Sequence, residues 1–344
     1  MLPRAFQHTT LLLSLMLSGG AMADCSFEVA AQTRAEACQR LLARSMNLGN
    51  MLEFEREGMY GPVLEAEFFD IIKAAGFSAV RLPVRWDARA AYEPPYTINP
   101  EFFERVDWAV ANAHRVGLAI ILDMHHYTAM MSEPDTELPR YLGIWQQVAE
   151  HYRAAPAEVM FELLNEPMGK LDDARWNAVI AKTIPLIRQS NPKRTLIVGG
   201  TDWNGYRKLA TLNLPADDRD LIATFHYYEP MPVTHQGANW VAGGSGWLGT
   251  RWTGSPAEQA ELDGALDAVA KWAQREQRPV LLGEFGVFSA ADMATRTAWT
   301  RAVVQGAERR GFAWAYWEFG AGFGAYDTFT KQWRQPLRDA LLGD

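Results

Sequence analysis

The sequence predicts an α/β protein, a single-domain (β/α)8 TIM barrel. Eight short apolar runs recur along the 344 residues, each followed by an amphipathic stretch. The runs are almost continuously apolar, as parallel strands covered by helices on the outer face must be. Eight such units in one chain of this length fit a closed barrel better than an open doubly wound sheet. No Gly-x-Gly-x-x-Gly segment follows a strand, which weakens the dinucleotide-binding alternative.

The chain begins with a segment expected to be removed. Arg4 gives a positive start, Leu11 to Met16 a short apolar run, and Ala21-Met22-Ala23 a small-x-small cleavage site. Residues 1–23 thus read as a signal peptide and Asp24 as the first mature residue. The apolar run is too short to span a membrane. A secreted or periplasmic protein is expected, with no membrane association after signal removal. Cys25 and Cys38 are the only cysteines, and export favours a disulfide between them. It would tie an N-terminal strap to the barrel formed by the rest of residues 24–344.

Strands are expected at 44–48, 79–83, 119–124, 159–164, 195–199, 221–226, 280–284 and 313–317. Helices are expected near 62–75, 100–115, 137–154, 174–190, 205–211, 256–276, 291–310 and 334–342. The longest irregular stretch, 229–255, follows the sixth strand and carries Trp240, Trp247 and Trp252; loops of this length usually serve function. No linker or internal repeat interrupts the pattern, and no room for a separate binding module is expected after the eighth unit. With 48% hydrophobic residues a sizeable core is available, and the net charge of -8 without a basic cluster gives no support for nucleic-acid binding. A monomer is expected.

Barrels of this kind carry their chemistry at the C-terminal ends of the strands. Here those ends supply Asn50 and Glu53 after strand one, Arg81 and Arg85 on strand two, His125 and His126 after strand three, and Asn165 and Glu166 after strand four. Strands six, seven and eight supply His226 and Tyr228, Glu284, and Trp317. So many polar groups on one face are costly to bury unless paired, so they point to a site.

Cleavage of a glycosidic bond needs an acid at the leaving oxygen and a carboxylate at the anomeric carbon. Strands four and seven lie across the barrel mouth from one another, so Glu166 as acid/base and Glu284 as nucleophile meet that need. Arg81 and Tyr228 are placed to keep Glu284 ionised, and the charge of Glu284 supplies one cause of a raised pKa at Glu166. His226 is expected to orient Glu166, Asn165 to hold a sugar hydroxyl, and Trp317 to floor the site. Glu162 is expected to fill the barrel behind Glu166, Asp123 to orient His125, and Glu229 and Glu318 to point away.

These segments resemble glycoside hydrolase family five, the cellulase family. Leu163-Leu164-Asn165-Glu166-Pro167 resembles its acid/base signature and Leu282-Gly283-Glu284-Phe285-Gly286 its nucleophile segment. Arg81-Leu82-Pro83, Asp123 to Tyr127, His226 to Pro230 and Ala315 to Glu318 match further family positions in order, from about Asn47 onward. The segments 234–240, 247–249 and 322–327 are most like a bacterial endoglucanase branch that includes the Thermotoga cellulase, some members of which also cleave β-mannan.

The resemblance implies a retaining endo-β-1,4-glucanase acting on β-glucan or β-mannan polysaccharide, with no cofactor and no metal. It also implies that Asn50, Glu53, His125, His126, His235 and Trp240 line the substrate cleft. The alternatives are a β-mannanase or dual glucanase/mannanase, a non-catalytic sugar-binding barrel, and a metal-dependent hydrolase. Against the last, no His-x-His or His-Glu-x-x-His spacing occurs, and the adjacent His125 and His126 are expected to face opposite sides of a strand.

Overall fold

A computed structural model of the protein describes residues 33–343. Eight parallel strands close into a barrel in sequence order. They are β1 (Arg44–Asn47), β2 (Ala79–Val84), β3 (Ala119–Met124), β4 (Val159–Glu162), β5 (Leu196–Gly199), β6 (Leu221–His226), β7 (Val280–Glu284) and β8 (Ala313–Tyr316). Pairing of β1 with β8, Ser45 opposite Ala315, completes the circle. Every expected strand forms. β1, β4 and β8 stop one or two residues early; Trp317 thus leaves its strand, and Asn165 and Glu166 stand on the loop after β4.

Local chemistry sets the outer helices. Helix Pro100–Val116 starts with Asn99 as N-cap and Pro100 in the first turn, and ends on Gly117 in the left-handed region. Helix Pro256–Glu276 opens on a Ser255/Glu258 capping box. The helix expected near 137 begins earlier, at Pro134, because proline is tolerated in a first turn. The fifth unit departs from expectation: residues 206–211 form a 3₁₀ helix instead of an α-helix. The long stretch after β6 contains two helical turns, Met231–Thr234 and Gly244–Trp247.

Strand alternation divides the barrel interior into a dry base and a polar mouth. Ala79, Ala119, Ile121, Met160, Ile197, Ile222, Leu281 and Ala313 fill the base with Ala35, Cys38 and Leu42. The last three belong to a segment expected only as a strap. Its helix, Arg34–Leu41, is fixed by a Thr33/Glu36 capping box and plugs the bottom of the barrel. Gln39 donates from its amide to the carbonyls of Val280 and Gly311. Cys38 is no free thiol, but Cys25 and the expected signal peptide lie outside the described residues. Among those residues no helix is long and apolar enough to cross a membrane.

One irregularity aims the site. Phe225 pairs with Leu282, but His226 pairs with Glu284, so β7 carries one extra residue, Gly283. A Cβ at Gly283 would stand 2.6 Å from Thr224 Oγ1 and 3.2 Å from His226 Nε2. Only glycine lets the strands approach there.

Candidate active site

Above the apolar base, Arg81 points up the barrel axis, wholly buried. Its guanidinium donates from Nε and Nη2 to both oxygens of Glu162, at 2.7 and 2.9 Å. Nη2 also reaches Asn165 Oδ1 at 2.8 Å and Asp123 Oδ2 at 3.0 Å. Nη1 donates to Asn47 Oδ1 at 2.9 Å and to Glu284 Oε1 at 2.8 Å. Tyr228 Oη donates to the other oxygen of Glu284 at 3.0 Å. Glu284 is therefore held by two donors from opposite sides, and Asn165 is oriented through its carbonyl oxygen.

Glu166 stands across from it. His226 Nδ1 lies 2.9 Å from Glu166 Oε1 and 3.6 Å from Glu284 Oε2. One oxygen of Glu166, one of Glu284 and a ring nitrogen of His226 all lie within 4.8 Å of one another. The same triad has the composition of a metal site. However, the Arg81 guanidinium and the Tyr228 phenol already bind Glu284, so a cation there would sit beside a buried positive charge.

Electrostatics separate the two carboxyls. Burial pushes Glu166 up to about 8, opposed by Arg81 and assisted by Asp123 and Glu162. Burial also raises Glu284, to about 7, with His226 and Arg81 pulling down and Glu166 pushing up. One expectation is sharpened here and one corrected. Burial, not the charge of Glu284, is the main cause of the Glu166 shift. Arg81 limits the rise at Glu284 but does not hold it below the ordinary carboxylate range, because one guanidinium also faces Asp123 and Glu162. The two donors on Glu284, against His226 alone at Glu166, favour Glu284 as the ionised partner, as opposed roles require. Burial lowers His226 to about 4, so its imidazole is neutral.

The other expected residues divide into groups. His125 donates from Nδ1 toward Asp123 Oδ2 at 2.5 Å, and its ring lies within 5° of parallel to Trp317 at 5.7 Å. His126 does not face away from His125, as alternation predicts. β3 has ended, His126 takes φ 54°, and the two rings meet at 4.4 Å. Asn50 (φ 63°) and Glu166 (φ 51°) also adopt left-handed backbone, uncommon for residues other than glycine.

Glu53 corrects another expectation. It is wholly buried, and its carboxylate accepts from the backbone N–H groups of Asn50 and Met51, so it shapes the turn that presents Asn50. His235 is nearly buried and packs edge-on against Tyr228 at 5.0 Å. Trp240 is exposed on the long loop, edge-on to Phe288. Trp203 is exposed too, whereas Trp252 is core. Glu162 fills the barrel as expected, and Glu318 turns into the loop after β8, accepting from the N–H groups of Gly320, Ala321 and Phe323.

This arrangement matches one family of proteins along most of the chain. The cellulase family, glycosyl hydrolase family 5, matches residues 42–322. The chain belongs to glycosyl hydrolase family 5. Endoglucanase H of Acetivibrio thermocellus is 34% identical over 292 residues, 84% of this chain and 31% of that protein. The chain thus spans about a third of the length of that curated relative. Thermotoga maritima Cel5A, with structures titled as complexes with cellobiose and with mannotriose, superposes with a TM-score of 0.88 at 42% identity. The match covers 90% of this chain and 100% of that one.

Within this family 5 barrel, two supporting residues escaped sequence reading. Asn47 Nδ2 donates to the carbonyls of Gly283, Ala315 and Tyr316, tying β1 to β7 and β8 beneath Glu284. Asn204 is buried with Nδ2 3.3 Å from His226 Nε2. With the Asn204 amide donating, the proton of neutral His226 sits on Nδ1 and is donated to Glu166 Oε1. A buried asparagine at the end of β1 was a visible signal for the first. Asn204 had none, since it reaches His226 from a left-handed turn over residues 202–204.

Proposed function

We propose that the protein is a retaining endo-β-1,4-glucanase, and that Glu284 is its nucleophile and Glu166 its acid/base. One observation carries this: carboxyl oxygens of the two glutamates lie within 4.8 Å. Retaining pairs stand roughly 5–5.5 Å apart, whereas inverting pairs need about 6.5–9.5 Å to admit a water. Glu284 attacks the anomeric carbon as Glu166 passes its proton to the leaving oxygen. A glycosyl ester forms on Glu284, and Glu166, now ionised, takes a proton from the water that hydrolyses it. Arg81 and Tyr228 hold Glu284 in line as its charge is consumed and restored.

The endoglucanase relatives support β-1,4-glucan as substrate. The mannotriose complex of the Thermotoga enzyme favours a second reading, a dual glucanase/mannanase. Initial rates on carboxymethyl cellulose, glucomannan and galactomannan separate the two. The mechanism is tested with Glu284→Gln, which is expected to lower kcat by at least about 10⁴-fold while still binding cello-oligosaccharide. Near-wild-type turnover in that variant would sink the assignment. Activity is expected to withstand a chelator. The opening segment supports export, which N-terminal sequencing of protein recovered outside the cytoplasm tests: mature chain beginning at Asp24 is expected.

A further inference from the structure

A second cavity, of about 210 Å³, lies apart from Glu166 and Glu284. It opens between the segment after β6 and helices Pro256–Glu276 and Met293–Arg309, which contribute Glu258, Glu261 and Trp299. Tyr228 turns to Glu284, whereas Tyr227, its neighbour in sequence, lines this cavity. Tyr227, Trp252 and Trp299 form aromatic walls, and all three are buried. The walls are fixed. Tyr227 and Trp299 lie within 11° of parallel at 6.1 Å, and Trp299 Nε1 donates to the Glu229 carbonyl at 3.1 Å.

The polar groups around the cavity are unevenly used. Glu258 caps its helix, accepting from the Ser255 N–H at 2.8 Å, and Glu229 accepts from Arg207 at 2.8 Å. Glu261 has no hydrogen-bond or ion-pair partner among the described residues. Tyr227 is only 4% exposed, and its hydroxyl makes no hydrogen bond to any described residue. Burial pushes its phenol pKa up and the charges of Glu229 and Glu261 push it further, so both carboxylates bear on a hydroxyl that keeps its proton. An unpaired hydroxyl on a buried ring is costly unless a partner enters the cavity. No lysine, arginine or histidine among the described residues lines it, so three carboxylates against the single guanidinium of Arg207 leave negative charge in excess. We propose that this cavity binds a small organic cation of the alkylammonium class. Tyr227 and Trp252 supply its aromatic walls, Glu261 is its counter-ion, and the Tyr227 hydroxyl meets a polar substituent on it. Aromatic rings attract such ions through their quadrupole, most strongly where water is excluded. A neutral glucan gains nothing from excess negative charge, and a polymer does not fit so small a cavity. The site stands whether or not the glucanase reading does.

Choline is the probe, since it carries a trimethylammonium group and a hydroxyl; its neutral isostere, with carbon in place of nitrogen, is the control. Calorimetric titration is expected to show saturable choline binding in the millimolar range, with the isostere bound at least about tenfold more weakly. Glu261→Gln, on an exposed helix position, is expected to weaken choline binding about tenfold. Trp252→Leu, checked for a cooperative thermal melt, should weaken it about as much, and Glu284→Gln should leave it unchanged. Absence of saturable choline binding, equal binding of the isostere, or an unchanged affinity in Glu261→Gln overturns the proposal. Binding that is lost in Glu284→Gln places the cation in the cleft instead and overturns it as well. Should Trp252→Leu not fold, Glu261→Gln decides alone.

Discussion

Protons decide what the site does. The proposed roles require Glu284 ionised and Glu166 protonated, and burial raises them to about 7 and about 8. Raising the pH through the first value ionises the nucleophile and increases kcat/KM; raising it through the second strips the acid and decreases it. A narrow bell is therefore expected for the free enzyme. In Glu166→Gln the alkaline limb should vanish, and substrates with good leaving groups should lose least in the first step, because they need little acid help. Asn204 makes a sharper case. Replacing it with Asp, which tolerates left-handed backbone, provides an acceptor for His226 Nε2–H and turns Nδ1 into an acceptor facing Glu166. The Glu166 proton is then shared inward, away from the leaving oxygen. We predict about a tenfold loss in kcat/KM for poor leaving groups and a smaller loss for activated aryl glycosides. Equal losses across leaving groups would mean that Asn204 only supports the fold.

Elements place these residues, and they differ in how openly the sequence declares them. The eight strands were legible because parallel strands covered on both faces must be apolar throughout. Glu284 at the end of β7 was legible for the same reason, although the bulge that aims it was not. Gly283 looks like any strand glycine until Thr224 and His226 are seen against it. Gly283→Ala is expected to cost about 1–3 kcal/mol by overpacking and to reduce kcat, because His226 must shift; urea unfolding with parallel kinetics checks both. Helix Arg34–Leu41 was hidden because an eight-residue amphipathic segment beside a predicted export signal resembles a linker. Its role appears only when the barrel base is seen to need a lid. Thr33→Ala removes its N-cap and is expected to lower stability by about 1 kcal/mol without altering kcat. His126 shows the reverse failure: a sound rule of strand alternation was carried one residue past the end of the strand.

The molecule as a whole keeps more acid than base at its centre. Arg81 alone faces Asp123, Glu162 and Glu284, with Glu166 close by, and burial lifts Asp123 to about 7 as well. The folded state thus binds protons that the unfolded chain releases near its ordinary carboxylate value. Stability from this source is full below that value and is lost as pH rises through about 7 to 8. Glu166→Gln, uncharged and of the same shape, should therefore stabilise the protein at pH 9 by about 1–3 kcal/mol more than at pH 5. Paired thermal melts of the two proteins measure this. The cleft's chemistry was thus readable from residue identities, but its charge balance was not, because burial rather than neighbouring charge dominates.

The left-handed backbone at Asn50, His126 and Glu166 has a consequence for anyone altering this protein. Glycine would relieve strain at all three, and asparagine would ease it at Glu166. A library screened for melting temperature alone would therefore enrich changes at Glu166 early and, on the proposed mechanism, return heat-resistant barrels that hydrolyse nothing. Selection for turnover must be imposed from the first round, because at Glu166, in its proposed role, endurance and catalysis pull the sequence in opposite directions.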